Sequence, residues 1–126
     1  MLDIESMAMG LLQTALPDVS WTVGFPQRWG ALPCGCIVQN ENAVRLITST
    51  DTEKLTDITV QIQVFTAAPE QRSTLESAVD AVLTARGLRR DSTNHMTDSR
   101  TDGIPIFRSI LLFSGVYDHT DNRFYH

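Results

Sequence analysis

A chain of 126 residues has the length of one domain and enough side chains for a single core without disulfide staples. Hydrophobic residues make up 42% and charged residues 20%, which is globular composition and excludes a disordered chain. Ten Lys and Arg stand against 15 Asp and Glu; the net charge of −5 leaves no electrostatic case for a nucleic-acid or anionic-membrane partner.

Residues 3–16 read as an amphipathic helix. Ile4, Met7, Ala8, Leu11, Leu12 and Ala15 recur at the spacing of one buried stripe. Asp3 is placed to cap this helix and Pro17 to end it, because proline lacks an amide donor and restricts the residue before it. Gly10 weakens the middle by up to about 1 kcal/mol relative to alanine, so the helix depends on its packing. The segment does not read as a signal peptide, since Asp3 and Glu5 stand where a basic region is needed. No apolar run approaches the roughly 18 residues of a membrane span. The chain is therefore expected to be made and used in the cytosol, or in an assembly put together there.

"SWTVGF" is a short strand candidate, followed by the loop "PQRWGALPCG" with its prolines and glycines. "CIVQNENAVRLITS" holds either two short strands about a polar turn or one strand with a bulge. "LTDITVQIQVFT" alternates with period two: Ile58, Val60, Ile62 and Val64 face one way, Thr59, Gln61 and Gln63 the other. A second helix carries the stripe Leu75, Val79, Val82 and Leu83 with Ala78 at its edge. Pro69 suits its first turn, Ser73 and Glu76 offer a capping-box pattern, and Gly87 supplies the stop. "LRRDSTNH" is a polar strand fit for a sheet edge, and "MTDSRTDG" a long polar hairpin tip. The last strand runs from Ile104 to about Tyr117. The order α-β-(β)-β-β-α-β-β predicts an α+β fold, one mainly antiparallel sheet with two helices on a face. Residues 1–126 form a single domain in this reading, and 118–126 a flexible C-terminal tail.

Candidate chemistry is sparse. Cys34 and Cys36 could supply two thiolates to a metal, but a zinc site needs about four ligands. His95, His119 and His126 fall in no ligand pair of recognised spacing. The two cysteines read instead as reduced thiols at a strand start, with Gly35 as a bulge or turn residue. Asp118, His119, Asp121 and His126 lie close in sequence but lack the glycine and terminal glutamate of a calcium loop. Ser114 and Gly115 lack the leading glycine of a nucleophile elbow, and no phosphate or dinucleotide fingerprint occurs. Neither an enzyme nor a cofactor is expected.

The last strand says more. Ile104, Ile106, Ile110, Leu112 and Val116 share one face, interrupted by Arg108 and Ser114; Phe107, Leu111, Phe113 and Tyr117 share the other. A sheet with one solvated face should alternate apolar with polar, so both faces of this strand need cover. Either the helices and the rest of the chain provide it, or a second subunit does. Arg108 on an aliphatic face calls for a carboxylate or an exit to solvent. The interface candidates are Phe107, Leu111, Phe113 and Tyr117 on the strand, with His119, Phe124 and Tyr125 as contacts in the tail.

The run from "DITVQIQVFT" through "LESAVDAVLTARGL" to "IPIFRSILLFSGVYD" resembles the tail terminator, or tail-completion, proteins of long-tailed bacteriophages. The resemblance rests on element order over most of the chain, and Cys34-Gly-Cys36 and "PQRWGALP" stand outside it. It implies a homo-oligomeric ring, commonly hexameric, with no active site. Such a ring caps the tail tube and joins tail to head, so its implied partners are the tail tube protein and the head-tail connector proteins, and its location the virion. The alternatives are a neck protein of the same machinery, or a small metal-binding domain using Cys34 and Cys36.

Overall fold

The computed structural model describes residues 4–23, 32–45, 55–99, 103, 105–118 and 123–125. Along the chain run α1 (Ile4–Ala15), β1 (Ser20–Val23), β2 (Cys34–Arg45), β3 (Leu55–Thr66), α2 (Pro69–Thr84), β4 (Arg89–Ser99), β5 (Pro105–Asp118) and β6 (Arg123–Tyr125). The strands form one sheet in the order β1-β2-β3-β5-β4, with β6 also on β5. Every pairing is antiparallel except β1 with β2. The fold is therefore α+β with a mainly antiparallel sheet, as the element order predicts.

Both helices lie on one face. The residues α1 and α2 bury, among them Ala8, Leu12, Leu75, Val79 and Leu83, form one cluster with Ile58, Val60, Ile62, Val64, Leu111 and Phe113. The row Ile58, Val60, Ile62 and Val64 thus shares one face, turned to the helices, while Leu55, Gln63 and Phe65 of the other row are buried as well. In the N-terminal helix, Ala8 and Leu12 are buried, Met7 and Leu11 are partly covered, and Ala15 is exposed. Asp3, the expected cap, lies outside the described residues.

The second helix begins with Pro69 behind Ala68, and no side chain caps it, so the Ser73/Glu76 capping pattern is not used. Proline suits this position because the first-turn amides have no helical acceptor anyway. Its far end follows the expected signal. Gly87 adopts φ +101°, and the bonds Gly87 N–H to Thr84 O and Leu88 N–H to Leu83 O close the helix as a Schellman motif. Leu83 and Leu88 are both buried there, which is the apolar contact that accompanies the motif.

The ambiguous stretch after the first loop is a single strand, β2, with a register shift between Gln39 and Glu41. β4 is an edge strand, as its polarity suggests, and it too shifts register between Arg90 and Ser92. Asp91 sits in that bulge, where hydrogen bonds from Ser114 and Arg89 hold its carboxyl below the usual range. A charged, bulged edge discourages strand addition. The strand continues to Ser99, so the hairpin tip is shorter than the polar run "MTDSRTDG" implies.

Two features depart from expectation. The C-terminal segment is not uniformly a flexible tail: Arg123–Tyr125 pair with Val116–Asp118, and Phe124 is buried against Tyr117 with ring centroids 5.0 Å apart. β3 occupies the opposite edge of β5 over these residues, so β6 takes the edge that β4 vacates beyond Arg89. Gly35, expected in a bulge or turn, lies in regular pairing instead. The Trp21 ring lies over it, and a Cβ added there would collide with Cε3 and Cζ3 of that ring. The same ring donates its Nε1–H to Leu16 O at 3.2 Å, tying the end of α1 to the sheet.

Gly35→Ala should therefore cost about 2–3 kcal/mol through overpacking against a buried indole. Denaturant unfolding followed by Trp fluorescence checks this; an unchanged midpoint would show that the Trp21 seat is not tight.

Candidate functional site

The face of the sheet turned away from the helices is the part of this molecule with surface to offer. Strand register places Cys34, Cys36 and Val38 of β2, the odd-numbered residues of β3, and the even-numbered residues of β5 on it. Among the described residues no helix covers this face.

One end of the face is closed by its own side chains. Cys34, Cys36, Phe65 and Ile106 form a second buried cluster, with Leu32 and Val38 packed against it. Arg108 roofs this cluster. Its Nε lies 3.0 Å from Asp98 Oδ2 and its Nη2 donates to Asp98 Oδ1 at 3.3 Å. The Nε–Oδ2 approach is an ion pair without hydrogen-bond alignment, so neither atom has an aligned partner among the described residues. Nη1 reaches Gln63 Oε1 at 3.4 Å, Nη2 lies 3.2 Å from Met96 Sδ, and the guanidinium carbon stands 6.0 Å from the Phe65 ring centre. The carboxylate that Arg108 requires is therefore Asp98, one strand away.

Past Arg108 the face opens. Ile110, Leu112 and Val116 are each only partly covered, with Thr59, Gln61 and Asp57 beside them on β3. These residues form an aliphatic stripe in a polar setting, three apolar side chains with nothing from either helix above them.

This arrangement reverses the expected roles of the two faces of β5. Leu111 and Phe113 have no exposed surface, and Tyr117 is also buried; all three belong to the core under the helices. Side chains fully enclosed in their own chain cannot meet another subunit, so these three are not interface residues in this conformation. Phe107 is half-buried, with the Arg72 guanidinium 5.7 Å from its ring centre. Phe124 is in the core. Tyr125 belongs to β6, but its side chain lies outside the described residues, as does the whole of His119. The apolar residues of β5 with open surface on the helix-free face are instead Ile110, Leu112 and Val116. Their spacing on one face was visible in the sequence; which face the helices take was not.

A second polar cluster lies on the helix side. Ser109, fully buried, donates its hydroxyl to Glu76 Oε1, and the exposed His95 ring contacts the same oxygen through Nε2. Serine, glutamate and histidine together invite a catalytic reading, but the order is wrong for one. The carboxylate stands between hydroxyl and imidazole, so the imidazole does not address the serine, and the fully buried hydroxyl has no access to a substrate. The contact fastens α2 to β4 and β5.

The two thiols are separated by Gly35 on one strand and are both buried and unbridged. Burial pushes the Cys34 thiol up, and burial with the neighbouring Cys34 pushes Cys36 from 9.0 up to about 11. A buried protonated thiol is a poor nucleophile. Among the described residues no group of three or more His, Cys, Asp and Glu is placed to hold a metal ion.

No family model matches the chain, and a search of curated proteins returns no match. The functional reading therefore rests on the fold and its surfaces.

The thiols give a direct check. An unfolded thiol releases its proton near pH 9.0, the folded Cys36 near 11, so the unfolded state loses protons first as pH rises. The contribution of these thiols to stability is complete below about pH 9 and is lost as pH climbs through 11. At pH 8 neither cysteine should react with a thiol reagent until denaturant unfolds the chain. Rapid labelling of native protein would refute the burial.

Proposed function

We propose that the protein is a structural component of a bacteriophage or prophage particle, a tail terminator that assembles as a ring to cap the tail tube and join it to the head. One observation carries this reading: among the described residues the sheet has helices on one face only, leaving the Ile110–Leu112–Val116 stripe partly uncovered on a strand whose other face is core. An aliphatic stripe with a polar border is the kind of surface by which subunits meet. The resemblance in element order to tail-completion proteins supplies the identity of the assembly, and the α+β architecture agrees with that order. The ring is hexameric by the same resemblance, and its partners are the tail tube protein and the head-tail connectors.

Function in this reading lies in surfaces, not in an active site. The metal-binding alternative has less support, because among the described residues no further His, Cys, Asp or Glu is grouped with Cys34 and Cys36 to complete a metal site. A net charge of −5 favours docking guided by charge, in which approach and orientation depend on ionic strength.

Particles made without this protein should show unjoined heads beside tails longer than normal in negative-stain electron microscopy. Heads joined to tails of normal length would contradict the proposal, and tails of normal length left unjoined would favour a neck protein instead.

A further inference from the structure

The last strand is lightly held. β6 has three residues, and its register sets Val116 opposite Tyr125, Tyr117 opposite Phe124 and Asp118 opposite Arg123. Phe124 is its buried anchor, and its ring meets the Tyr117 ring edge-on at 5.0 Å. A strand this short belongs to the low-stability end of a native structure, where local opening precedes global unfolding.

The seat that receives β6 is built by other elements. β3 covers one edge of β5 from Phe107 to Asp118, whereas β4 covers the other only from Pro105 to Ser114. The backbone of Val116–Asp118 is left with an edge for one more strand, and β6 takes it. Tyr117 lies in the core below, with Met7 and Leu11 of α1 packed on the same cluster. A cavity of about 390 Å³ runs along Met7, Gly10, Leu11 and Phe124, so the seat of Phe124 is not sealed on the α1 side.

This seat fits the sequence Arg123–Tyr125, and every copy of the chain carries that sequence. The β6 of a second copy brings the same backbone pairing and the same Phe124 ring, so exchange between copies loses no native contact. Four residues separate Asp118 from Arg123, and fully extended they let β6 reach at most about 17 Å. An exchanged β6 therefore holds the neighbour close to Val116, the end of the partly covered stripe.

We infer that in the assembled state β6 of each copy pairs with Val116–Asp118 of the next copy and seats its Phe124 on that copy's Tyr117; the pairing within one chain is the form of the free protein. The inference rests on the ring reading and specifies the link between subunits. Each copy gives its strand to one neighbour and receives a strand from the other. Such a contact is heterologous, and it generates a ring when the rotation closes.

Disulfide trapping on the full chain tests the exchange. Val116 and Tyr125 stand opposite each other, so cysteines at both positions can bond wherever β6 is seated. Cys34 and Cys36 are buried and do not interfere. Chains carrying Val116→Cys and chains carrying Tyr125→Cys are mixed in mild denaturant, returned to native buffer, concentrated until they associate and oxidised with copper–phenanthroline. Linked pairs should form in the mixture and in neither variant alone. The double variant should close a bond within one chain when dilute, and give a ladder of more than two linked chains when assembled.

A mixture without linked pairs, beside a double variant that bonds only within one chain, would overturn the exchange. A ladder that ends at two chains overturns the head-to-tail arrangement, and a double variant that forms no bond removes the seat itself. Rings that assemble with bonds only within each chain overturn the exchange and leave the ring reading standing. Tail length in particles lacking the protein tests that reading separately.

Discussion

The rest of the structure depends on the register between β3 and β5. Leu55–Thr66 and Phe107–Asp118 pair antiparallel without a shift, which sets Ile62 opposite Leu111 and Val60 opposite Phe113. Side chains alternate faces along a strand, so a slip of one residue would turn Leu111 and Phe113 out and bring Arg108 and Ser114 under the helices. The alternation Ile58, Val60, Ile62, Val64 makes that slip costly. It presents one apolar row, to which only the odd-numbered residues of β5 can be matched without burying a guanidinium in the core.

Polar contacts reinforce this register on both faces. On the helix side, Ser109 and His95 share a carboxylate oxygen of Glu76 and hold α2 over the β4–β5 pair. A buried hydroxyl without that acceptor would cost about 1–3 kcal/mol, so the contact specifies where α2 rests. On the opposite side, Arg108 and Asp98 close the thiol cluster and end the covered part of the face. What lies past Arg108 is the uncovered stripe, and its position follows from these two fastenings.

Much of the fold was legible in the sequence because its signals are local. Period-two alternation in β3, the stripe and Gly87 stop of α2, and the polarity of β4 each reflect physics acting within a few residues. The misreadings arose where distant residues decide. Gly35 resembled a turn glycine because the residue that needs its missing side chain, Trp21, sits on the parallel neighbour strand. The C-terminal residues resembled a flexible tail because β6 is only three residues long. The signal there was an aromatic at Tyr117 and another at Phe124, with the polar run "DHTDN" between them in sequence. The two apolar faces of β5 were plain from composition, yet local pattern is symmetric between them, and only the packing of the helices decides which becomes core.

The central claim is that adjacent residues of β5 have opposite roles, one row holding the fold and the next offered to a partner. Equilibrium unfolding of Leu111→Ser and Ile110→Ser, paired with sedimentation of each, tests it most directly. Leu111→Ser should lose about 3 kcal/mol or more through a cavity and a buried hydroxyl. Ile110→Ser should lose about 1 kcal/mol or less in stability while self-association weakens. Equal loss of stability from the two substitutions, with association unchanged in Ile110→Ser, would contradict the account.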